Sequence, residues 1–372
     1  MSDANIPLVD LGRQYAAIGS ELEAAILEVL RTTRFVAGPR VAAFEQEFAS
    51  LHDTSHGVAV NSGTAALHVA LWALGVGPGD EIILPVNTYI ATAEAVTLCG
   101  ATPVFADHND YFNIDASQIE SLITDRTKAV IAVHLYGQPA CMERIISICE
   151  KRDLILLEDC AQSHLAEYKG QKTGSFGVAG CFSFYPGKNL GACGEAGAVV
   201  TGDKALAATM QQIKQHGVSD NKYHHHMAGH NYRMEELQAA ALRVKLNYID
   251  QWTDLRRQHA DTYREMLAGV GDVLLPESMP NVKHVYHLFV IRTEQRDGLL
   301  EHLRANGIGA DLHYPTPLHL QPAYASLGYK AGAFPTAERS AKRILSLPMF
   351  PELQNDEIAR ICDTVRSFYA GA

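Results

Sequence analysis

Short apolar runs alternate with helical segments between residues 55 and 215, and this alternation predicts the first part of the fold. Strands are predicted at 56–60, 81–85, 102–106, 129–134, 154–157, 181–184 and 198–201, and helices at 64–74, 89–99, 116–123 and 141–151. Strands that are apolar on both faces and separated by helices are typical of a mainly parallel sheet with helices on both sides. The pattern therefore predicts a large α/β unit.

A different pattern begins near residue 231. Apolar positions keep a helical spacing from 234 to 270, with no Gly or Pro before Gly269, and this predicts one long helix. Strands at 285–291 and 308–312, a helix at 298–306, a Pro-rich connection and a closing helix at 356–369 predict a smaller α+β unit. Because the long helix is a natural hinge, we expect a large domain at 1–245, with an N-terminal helical segment, and a small domain at 246–372.

The composition is that of an ordinary globular chain with an acidic balance. Of 372 residues, 47% are hydrophobic, and 42 Asp and Glu exceed 31 Lys and Arg, which gives a formal net charge of −11. This composition argues against a disordered chain or a coiled coil. The sequence has no basic block, which argues against nucleic acid as a partner, so any anionic ligand must be held by local donors.

The cysteines and the N-terminus bear on the compartment. Seven cysteines form no CxxC pair, and a chain of this length needs no disulfides, so reduced thiols are expected. The first residues, MSDANIPLVDLGRQY, contain neither the basic nor the apolar segment of a signal peptide. No apolar run approaches the roughly 20 residues of a membrane helix. We therefore predict a cytoplasmic protein that does not bind a membrane.

Polar residues follow three of the predicted strands, at the sheet edge where open α/β sheets bind ligands. The first group is Asn61-Ser62-Gly63-Thr64, at the start of a predicted helix. Backbone N–H groups and the helix dipole make such a position an anion site. An ordinary N-cap, in which Ser62 or Thr64 satisfies the helix end, explains the same residues.

The second group is centred on Asp159, which ends an apolar strand in LLEDCAQSH. A carboxylate in this partly dry position needs a cationic partner. A structural ion pair is one alternative, and a metal with His164 as a second ligand is another. The metal is disfavoured because one carboxylate and one His are too few ligands.

The third group contains Lys188, in the Pro/Gly turn SFYPGKNLG that follows another strand. A lysine held in a pocket beside another cation loses its proton more readily and becomes a nucleophile for carbonyls. A lysine that binds phosphate as a point charge is the alternative.

Taken together, the three groups match the requirements of pyridoxal phosphate (PLP). Lys188 would hold the aldehyde of the cofactor as an imine, and Asp159 would keep its pyridine nitrogen protonated. The 61–64 segment would bind the phosphate. The sequence therefore predicts a PLP-dependent enzyme.

Almost from end to end, the chain resembles the DegT/DnrJ/EryC1/StrS family of PLP-dependent sugar aminotransferases. The motifs that carry the resemblance are PLVDLGRQY, NSGTAALH, HLYGQPA, LEDCAQSH, CFSFYPGKNLGA, NYRMEELQAA and LSLPMFPEL. The resemblance implies the fold-type I aminotransferase fold, in which a mainly parallel mixed sheet flanked by helices is joined to a smaller α+β domain. It also implies L-glutamate as the amino donor and a nucleotide-linked keto sugar as the acceptor.

The resemblance further implies which residues contact the cofactor. Lys188 matches the imine-forming lysine, which also moves the proton at the reacting carbon, and Asp159 matches the partner of the pyridine nitrogen. The other implied contacts are Gly63, Thr64 and Ser183 at the phosphate with Ser62 beside them, Tyr89 stacked on the ring, Gln162 near the 3-hydroxyl, and Asn231 reaching the phosphate from the other subunit. The last of these implies a homodimer with shared active sites.

Substrate contacts are expected in two segments. Residues 222–226 fall in a loop that lies near the sugar nucleotide in the family, and HYPTPLHLQPAY resembles the substrate-facing turn of members that act on 3-keto sugars. The candidates are Lys222, Tyr223, His224, Arg233, His313, Tyr314 and His319, with Lys222 and Arg233 suited to the diphosphate. No metal is expected at the consecutive histidines, since neighbours in sequence rarely point at one ion.

We therefore predict amination at C3 of a dTDP-linked 3-keto-6-deoxyhexose, in the synthesis of an amino sugar for a surface polysaccharide or a glycosylated natural product. Amination at C4 is the nearest alternative. A PLP-dependent sugar dehydratase has His in place of the reactive lysine, so Lys188 argues against it. A non-catalytic regulatory or DNA-binding protein is disfavoured by the acidic charge.

Overall fold

The structure is a computed structural model that describes residues 5–218, 221 and 223–371. Its strands are β1 His56–Val60, β2 Glu81–Pro85, β3 Thr102–Ala106, β4 Thr127–Val133, β5 Ile155–Asp159, β6 Glu167–Tyr168, β7 Gln171–Lys172, β8 Ala179–Ser183, β9 Gly197–Thr201, β10 Val282–Lys283, β11 Phe289–Arg292 and β12 Ile344–Leu347. Its α-helices are α1 Leu11–Thr32, α2 Pro39–Leu51, α3 Gly63–Ala73, α4 Ala91–Leu98, α5 Ala116–Leu122, α6 Met142–Arg152, α7 Lys204–Ile213, α8 Glu236–Leu246, α9 Ile249–Leu267, α10 Arg296–Ala305, α11 Pro335–Ala341 and α12 Asn355–Ala370.

Seven strands form one mixed sheet in the order β1-β9-β8-β5-β4-β2-β3. The strands β3, β2, β4, β5 and β8 are parallel to their neighbours, whereas β9 is antiparallel to both β8 and β1. Every strand of the sheet except β9 therefore points its carboxyl end towards the same edge. The predicted α/β fold with a mainly parallel sheet is confirmed.

Apolar side chains on both faces of the sheet hold it between two layers of helices. Strand β2 is buried along its whole length, and α3 has an almost continuously buried surface from Ala65 to Leu71. One hydrophobic cluster lies between α3, α4 and one face of the sheet, and a second joins α5 and α6 to the other face. Burial on both faces explains why the strand sequences are continuous apolar runs.

The predicted helix over 234–270 is wrong in one respect, because the structure has two helices there. Helix α8 ends at Leu246 and α9 begins at Ile249, with Asn247 and Tyr248 forming a turn between them. Asn is a poor residue for a helix interior, because its side chain competes for backbone hydrogen bonds. Asn247 was therefore a usable signal for the break.

The smaller unit also departs from prediction. Residues 308–312 form no strand, since Ile308 and Asp311 make single bridges to different partners, Ile6 and Ser346. The partner of β11 is instead β12, in an antiparallel pair. Strand β11 begins at Phe289 rather than at the predicted residue 285, because the N–H of Val285 bonds the carbonyl of Gly137 in the large unit.

A separate hydrophobic cluster packs α9, α10 and α12 around the β11–β12 pair and includes Ile6 from the other end of the chain. The division into domains at 1–245 and 246–372 stays a prediction. Within the part of the chain that the structure describes, no helix combines the length and apolar character needed to cross a membrane.

Candidate active site

A cavity of about 460 Å³ opens at the edge of the sheet where the parallel strands end. Its wall is made by the segments that follow β1, β2, β4, β5 and β8, together with residues of the smaller unit. The predicted site residues on this wall are Ser62, Gly63, Thr64, Tyr89, Asp159, Gln162, Ser183, Lys188, His313 and Tyr314. The structure therefore brings all three sequence groups into one cavity.

Asp159 is the last residue of β5, in the middle of the sheet, and only 5% of it is exposed. Its Oδ2 accepts a hydrogen bond of 2.8 Å from the hydroxyl of Thr92, and its Oδ1 accepts one of 3.1 Å from the N–H of Ala161. Burial raises the pKa of Asp159, while these two hydrogen bonds and the positive charge of Lys188 lower it. A buried carboxylate with these donors can bind a cationic N–H in the cavity.

Lys188 lies in a tight turn after β8. Its own N–H bonds the carbonyl of Tyr185 at 2.8 Å, and Gly191 approaches Pro186 so closely that a Cβ there would lie 2.1 Å from the Pro186 carbonyl oxygen. The turn directs the amine into the cavity wall. Burial lowers the pKa of Lys188 to about 8, although the charge of Asp159 acts in the opposite direction. Near neutral pH this amine is thus close to its neutral, nucleophilic form.

The 61–64 segment forms the N-cap that its sequence allowed, and the anion site stays a prediction. The Ser62 side chain caps α3 by accepting a bond of 3.0 Å from the N–H of Ala65. Ser62, Gly63 and Thr64 also line the cavity, and the first N–H groups of a helix have no partner within the helix. A Cβ on Gly63 would lie 2.6 Å from the Cβ of Ser183, so only glycine fits there. The result is a concave surface between the start of α3 and the end of β8, of a kind that can bind an anion.

Gln162 connects the large unit to the segment 313–324. Its Oε1 accepts a bond of 2.6 Å from the N–H of Tyr136, and its Nε2 donates one of 3.1 Å to the hydroxyl of Tyr314. The ring of Tyr314 lies 5.5 Å from that of Tyr89, which is 56% exposed beside the cavity.

His313, the neighbour of Tyr314 in the sequence, is held by a hydrogen bond of 2.8 Å between its Nδ1 and the Ser346 hydroxyl.

The remaining predicted residues that the structure describes do not line this cavity. His319 is buried and bonds Glu338 at 2.9 Å, and Arg233 borders a separate space of about 160 Å³ beside Lys214. Tyr223 is 79% exposed, and His224 and Asn231 also lie at the surface. Lys222 lies outside the described residues. The roles of all six stay predictions.

Several residues on the cavity wall are not among the predicted site residues. Thr88 and Thr92 follow β2, His134 follows β4, and His287 belongs to the smaller unit. His134 had a usable signal, because it is a polar residue that ends an apolar strand, as Asp159 is. Thr92 lies inside a predicted helix of small residues, and the sequence carried no sign that it faces Asp159.

Behind the cavity, ligand atoms of His134, Glu158 and Cys160 lie within 4.8 Å of one another. The Nδ1 of His134 accepts a bond of 3.0 Å from the N–H of Ala140, so its Nε2 carries the proton and donates at 2.9 Å to Glu158. Glu158 also accepts bonds of 2.8 Å from the N–H groups of Gly174, Phe176 and Gly177. Protein hydrogen bonds thus satisfy His134 and Glu158, and we assign no metal here.

Comparison with known proteins agrees with this geometry. A model of the DegT/DnrJ/EryC1/StrS aminotransferase family matches residues 16–366. A curated relative from Streptomyces venezuelae, dTDP-3-amino-3,4,6-trideoxy-α-D-glucose transaminase, is 44% identical over 98% of this chain and 96% of its own length. A relative from Acidithiobacillus ferrooxidans, UDP-N-acetyl-3-dehydro-α-D-glucosamine 3-aminotransferase, is 45% identical over 97% of both chains.

Two further matches bear on fold and function. The chain is similar to the crystal structure of S. venezuelae DesV in complex with a ketimine intermediate, with a TM-score of 0.96 and 44% identity over 98% of this chain and 99% of that one. A Geobacillus stearothermophilus relative, 45% identical over 98% of this chain and 99% of its own, is named pleiotropic regulatory protein.

Proposed function

The chain is a PLP-dependent aminotransferase of the DegT/DnrJ/EryC1/StrS family, and we propose that it transfers an amino group from L-glutamate to C3 of a dTDP-linked 3-keto-6-deoxyhexose. The observation that carries the proposal is the shared cavity of Lys188 and Asp159 at the carboxyl edge of the sheet. The name of the S. venezuelae relative supports both C3 and the dTDP group, whereas that of the A. ferrooxidans relative supports C3 with a UDP group.

The residues on the cavity wall fit PLP. The site formed by Gly63 and Ser183 is a concave surface that a Cβ would fill, which suits a phosphate. Asp159 suits the pyridinium N–H, and Lys188 suits the aldehyde. When bound, PLP supplies an aldehyde that exchanges amines and a ring that accepts electron density from the reacting carbon.

We assign two tasks to the Lys188 amine. It binds the cofactor, and once released it moves a proton at the reacting carbon. Both tasks need a neutral amine, and the lowered pKa of about 8 makes this form accessible near neutral pH. Lys188 also argues against the sugar dehydratase alternative. The Lys188–Asp159 pair favours catalysis over the regulatory role that the name of the G. stearothermophilus relative suggests.

The cavity wall itself supports a sugar substrate. His313 and Tyr314 come from the segment that resembles the 3-aminating branch, and both line the cavity. Burial lowers the pKa of His313, so its ring is neutral, and Ser346 occupies one of its nitrogens. The other nitrogen can donate to or accept from a sugar hydroxyl. Such contacts decide which ring carbon faces Lys188.

We further propose that the active sites are completed in a homodimer. Apolar side chains are exposed on α1 and on the turn that follows it: Leu11, Tyr15, Leu27, Leu30, Phe35 and Val36. The N–H of Glu236 bonds the Phe35 carbonyl and Val36 pairs with Glu235, so this turn lies against the end of the segment that begins at Asn231. An exposed apolar surface of this kind is typical of an interface.

The charges on the cavity wall also support a composite site. Among the described residues of the wall, Lys188 is the one Lys or Arg, and it is committed to the cofactor. Glutamate carries two carboxylates and the nucleotide a diphosphate, so more cations are needed than the wall provides. We propose that they come from the second copy, with Arg233 and Lys222 as candidates.

The experiment is to incubate the enzyme and glutamate with dTDP-linked 3-keto, dTDP-linked 4-keto and UDP-linked 3-keto sugars, and to locate the new C–N bond by NMR. We expect amination at C3 of the dTDP substrate. Amination at C4 alone would overturn the proposal that C3 is the aminated carbon. Preference for the UDP-linked sugar would overturn the proposal that the substrate carries dTDP. No amination of any sugar, by protein that carries PLP, would overturn the proposed substrate class.

A further inference from the structure

We propose that Thr92, ordered by Thr88, is a positioning residue that keeps Asp159 ionised and so keeps the proton on the ring nitrogen of the cofactor. The inference deepens the proposed function and rests on the role proposed there for Asp159. Thr88 and Thr92 would thus act on the cofactor indirectly, through the carboxylate of Asp159.

The first support is the position of the Thr92 hydroxyl. Thr92 is the second residue of α4, it is 1% exposed, and its side chain donates to Oδ2 of Asp159 at 2.8 Å. The N–H of Ala161 donates to Oδ1 at 3.1 Å. Among the described residues, each oxygen of the buried carboxylate therefore has one donor, and only the donor from Thr92 is a side chain.

The second support is the direction of the hydrogen bonds. The hydroxyls of Thr88 and Thr92 lie 2.9 Å apart. A hydroxyl has a single proton. Since Thr92 gives its proton to the carboxylate, it must accept from Thr88. The three residues thus form a directed chain from Thr88 to Thr92 to Asp159, and hydrogen bonds in such chains strengthen one another.

The third support is the balance of influences on Asp159. Burial raises its pKa, and the hydrogen bond from Thr92 is the largest of the influences that lower it, ahead of Ala161 and Lys188. A hydrogen bond to an ionised acceptor is stronger than one to a neutral acceptor. Without the Thr92 hydroxyl, Asp159 would become a stronger base and would compete with the ring nitrogen for their shared proton.

A purely structural role for Thr92 makes a different prediction. The hydroxyl would then only satisfy a buried carboxylate, and its removal would lower stability while leaving the ring nitrogen as it is in the wild type. The protonation state of the ring nitrogen therefore separates the two roles, and it can be measured without turnover.

The experiment loads the protein with PLP labelled with ¹⁵N in the ring and follows the ¹⁵N chemical shift against pH. We expect the ring nitrogen of Thr92→Val to hold less of the proton that it shares with Asp159 near neutral pH, so that its ¹⁵N shift moves towards that of the neutral ring and its apparent titration moves to lower pH. Thr92→Ser keeps the hydroxyl and should titrate as the wild type does. Thr88→Val should shift the titration in the same direction by less. Thr97→Val is the control, because Thr97 lies on the same helix and its hydroxyl bonds the Ala93 carbonyl.

Asp159→Asn separates failure of this inference from failure of the proposed site. If Asp159→Asn removes the ring proton but Thr92→Val titrates as the wild type, the Thr92 inference is overturned and the role of Asp159 stands. If Asp159→Asn also leaves the titration unchanged, the proposed role of Asp159 fails, and the inference fails with it. If Thr92→Val does not bind PLP, Thr92→Ala is measured in its place. A Thr88→Val titration equal to that of the wild type would contradict the proposed hydrogen-bond chain from Thr88 to Asp159.

Discussion

The cofactor end and the substrate end of the candidate active site are built in different ways. At the cofactor end, Asp159 and Lys188 follow neighbouring strands of one sheet, and the contacts that hold Asp159 and the Lys188 turn lie within this chain. At the substrate end, Tyr223 and His224 lie at the surface, and Arg233 borders another space. Strand ends and the start of α4 set the positions of Asp159 and Lys188 within this chain, whereas the substrate end depends on loops and, as we propose, on a second copy.

The largest expected effect is at the cofactor end, from Lys188→Ala. Without the amine the protein loses both the cofactor link and the group that moves the proton, so kcat should fall by about 10³-fold or more. Stopped-flow or steady-state assays with glutamate measure this loss. Borohydride treatment followed by peptide mapping should leave the pyridoxyl group on Lys188 of the wild type.

The control for this variant is Lys204→Ala, at an exposed position at the start of α7. It should keep wild-type turnover and the pyridoxyl group on Lys188. A pyridoxyl group on any other lysine of the wild type would contradict the assignment and remove the basis for comparing the two regions.

The second prediction concerns how the two regions meet, and it uses mixed dimers of Lys188→Ala and Asn231→Asp. If Asn231 acts in the site of the other subunit, a mixed dimer has one site with both changes and one with neither. Random pairing should then restore about a quarter of wild-type activity, well above either parent. Tandem affinity tags isolate the mixed dimers, whose activity should be about half that of the wild type.

The acidic replacement is chosen because its charge repels a phosphate while its size matches Asn. Isolated mixed dimers without activity would mean that Asn231 works within its own chain. The exposed position of Asn231 would then no longer be explained by a contact with the other subunit.

The difference between the regions also explains how far the sequence predicts the molecule. Strands β1, β2 and β3 agree with prediction in both bounds, since each is an apolar run bounded by turn residues. The ends of parallel strands meet at one edge, so position along the chain was enough to bring Asp159 and Lys188 together. The same reasoning would have found His134, which also follows a strand of that edge.

Loops and helix faces gave weaker signals. His319 lies five residues after Tyr314, yet its ring packs on Phe334 and bonds Glu338 away from the cavity. Thr92 bonds Asp159, which is distant in sequence, and nothing local distinguishes it from a threonine that packs in a helix. Contacts of this kind depend on tertiary packing, and patterns in a single sequence do not predict them.

The smallest expected effect, and the last prediction, comes from two residues of the segment 313–324. Tyr314 lines the cavity and accepts from Gln162, whereas His319 is buried against Glu338. Tyr314→Phe should therefore lower kcat/KM about tenfold with a small fall in Tm, because the buried amide of Gln162 loses its acceptor at the site. His319→Ala should leave kcat/KM unchanged and lower the free energy of unfolding by about 1–3 kcal/mol, because the hydrogen bond to Glu338 and the packing of the buried ring on Phe334 are both lost. Parallel kinetics and thermal unfolding of the two variants check both statements. A tenfold loss of kcat/KM in His319→Ala, with its Tm unchanged, would place that histidine among the substrate contacts after all and would extend the substrate end of the site beyond the cavity wall.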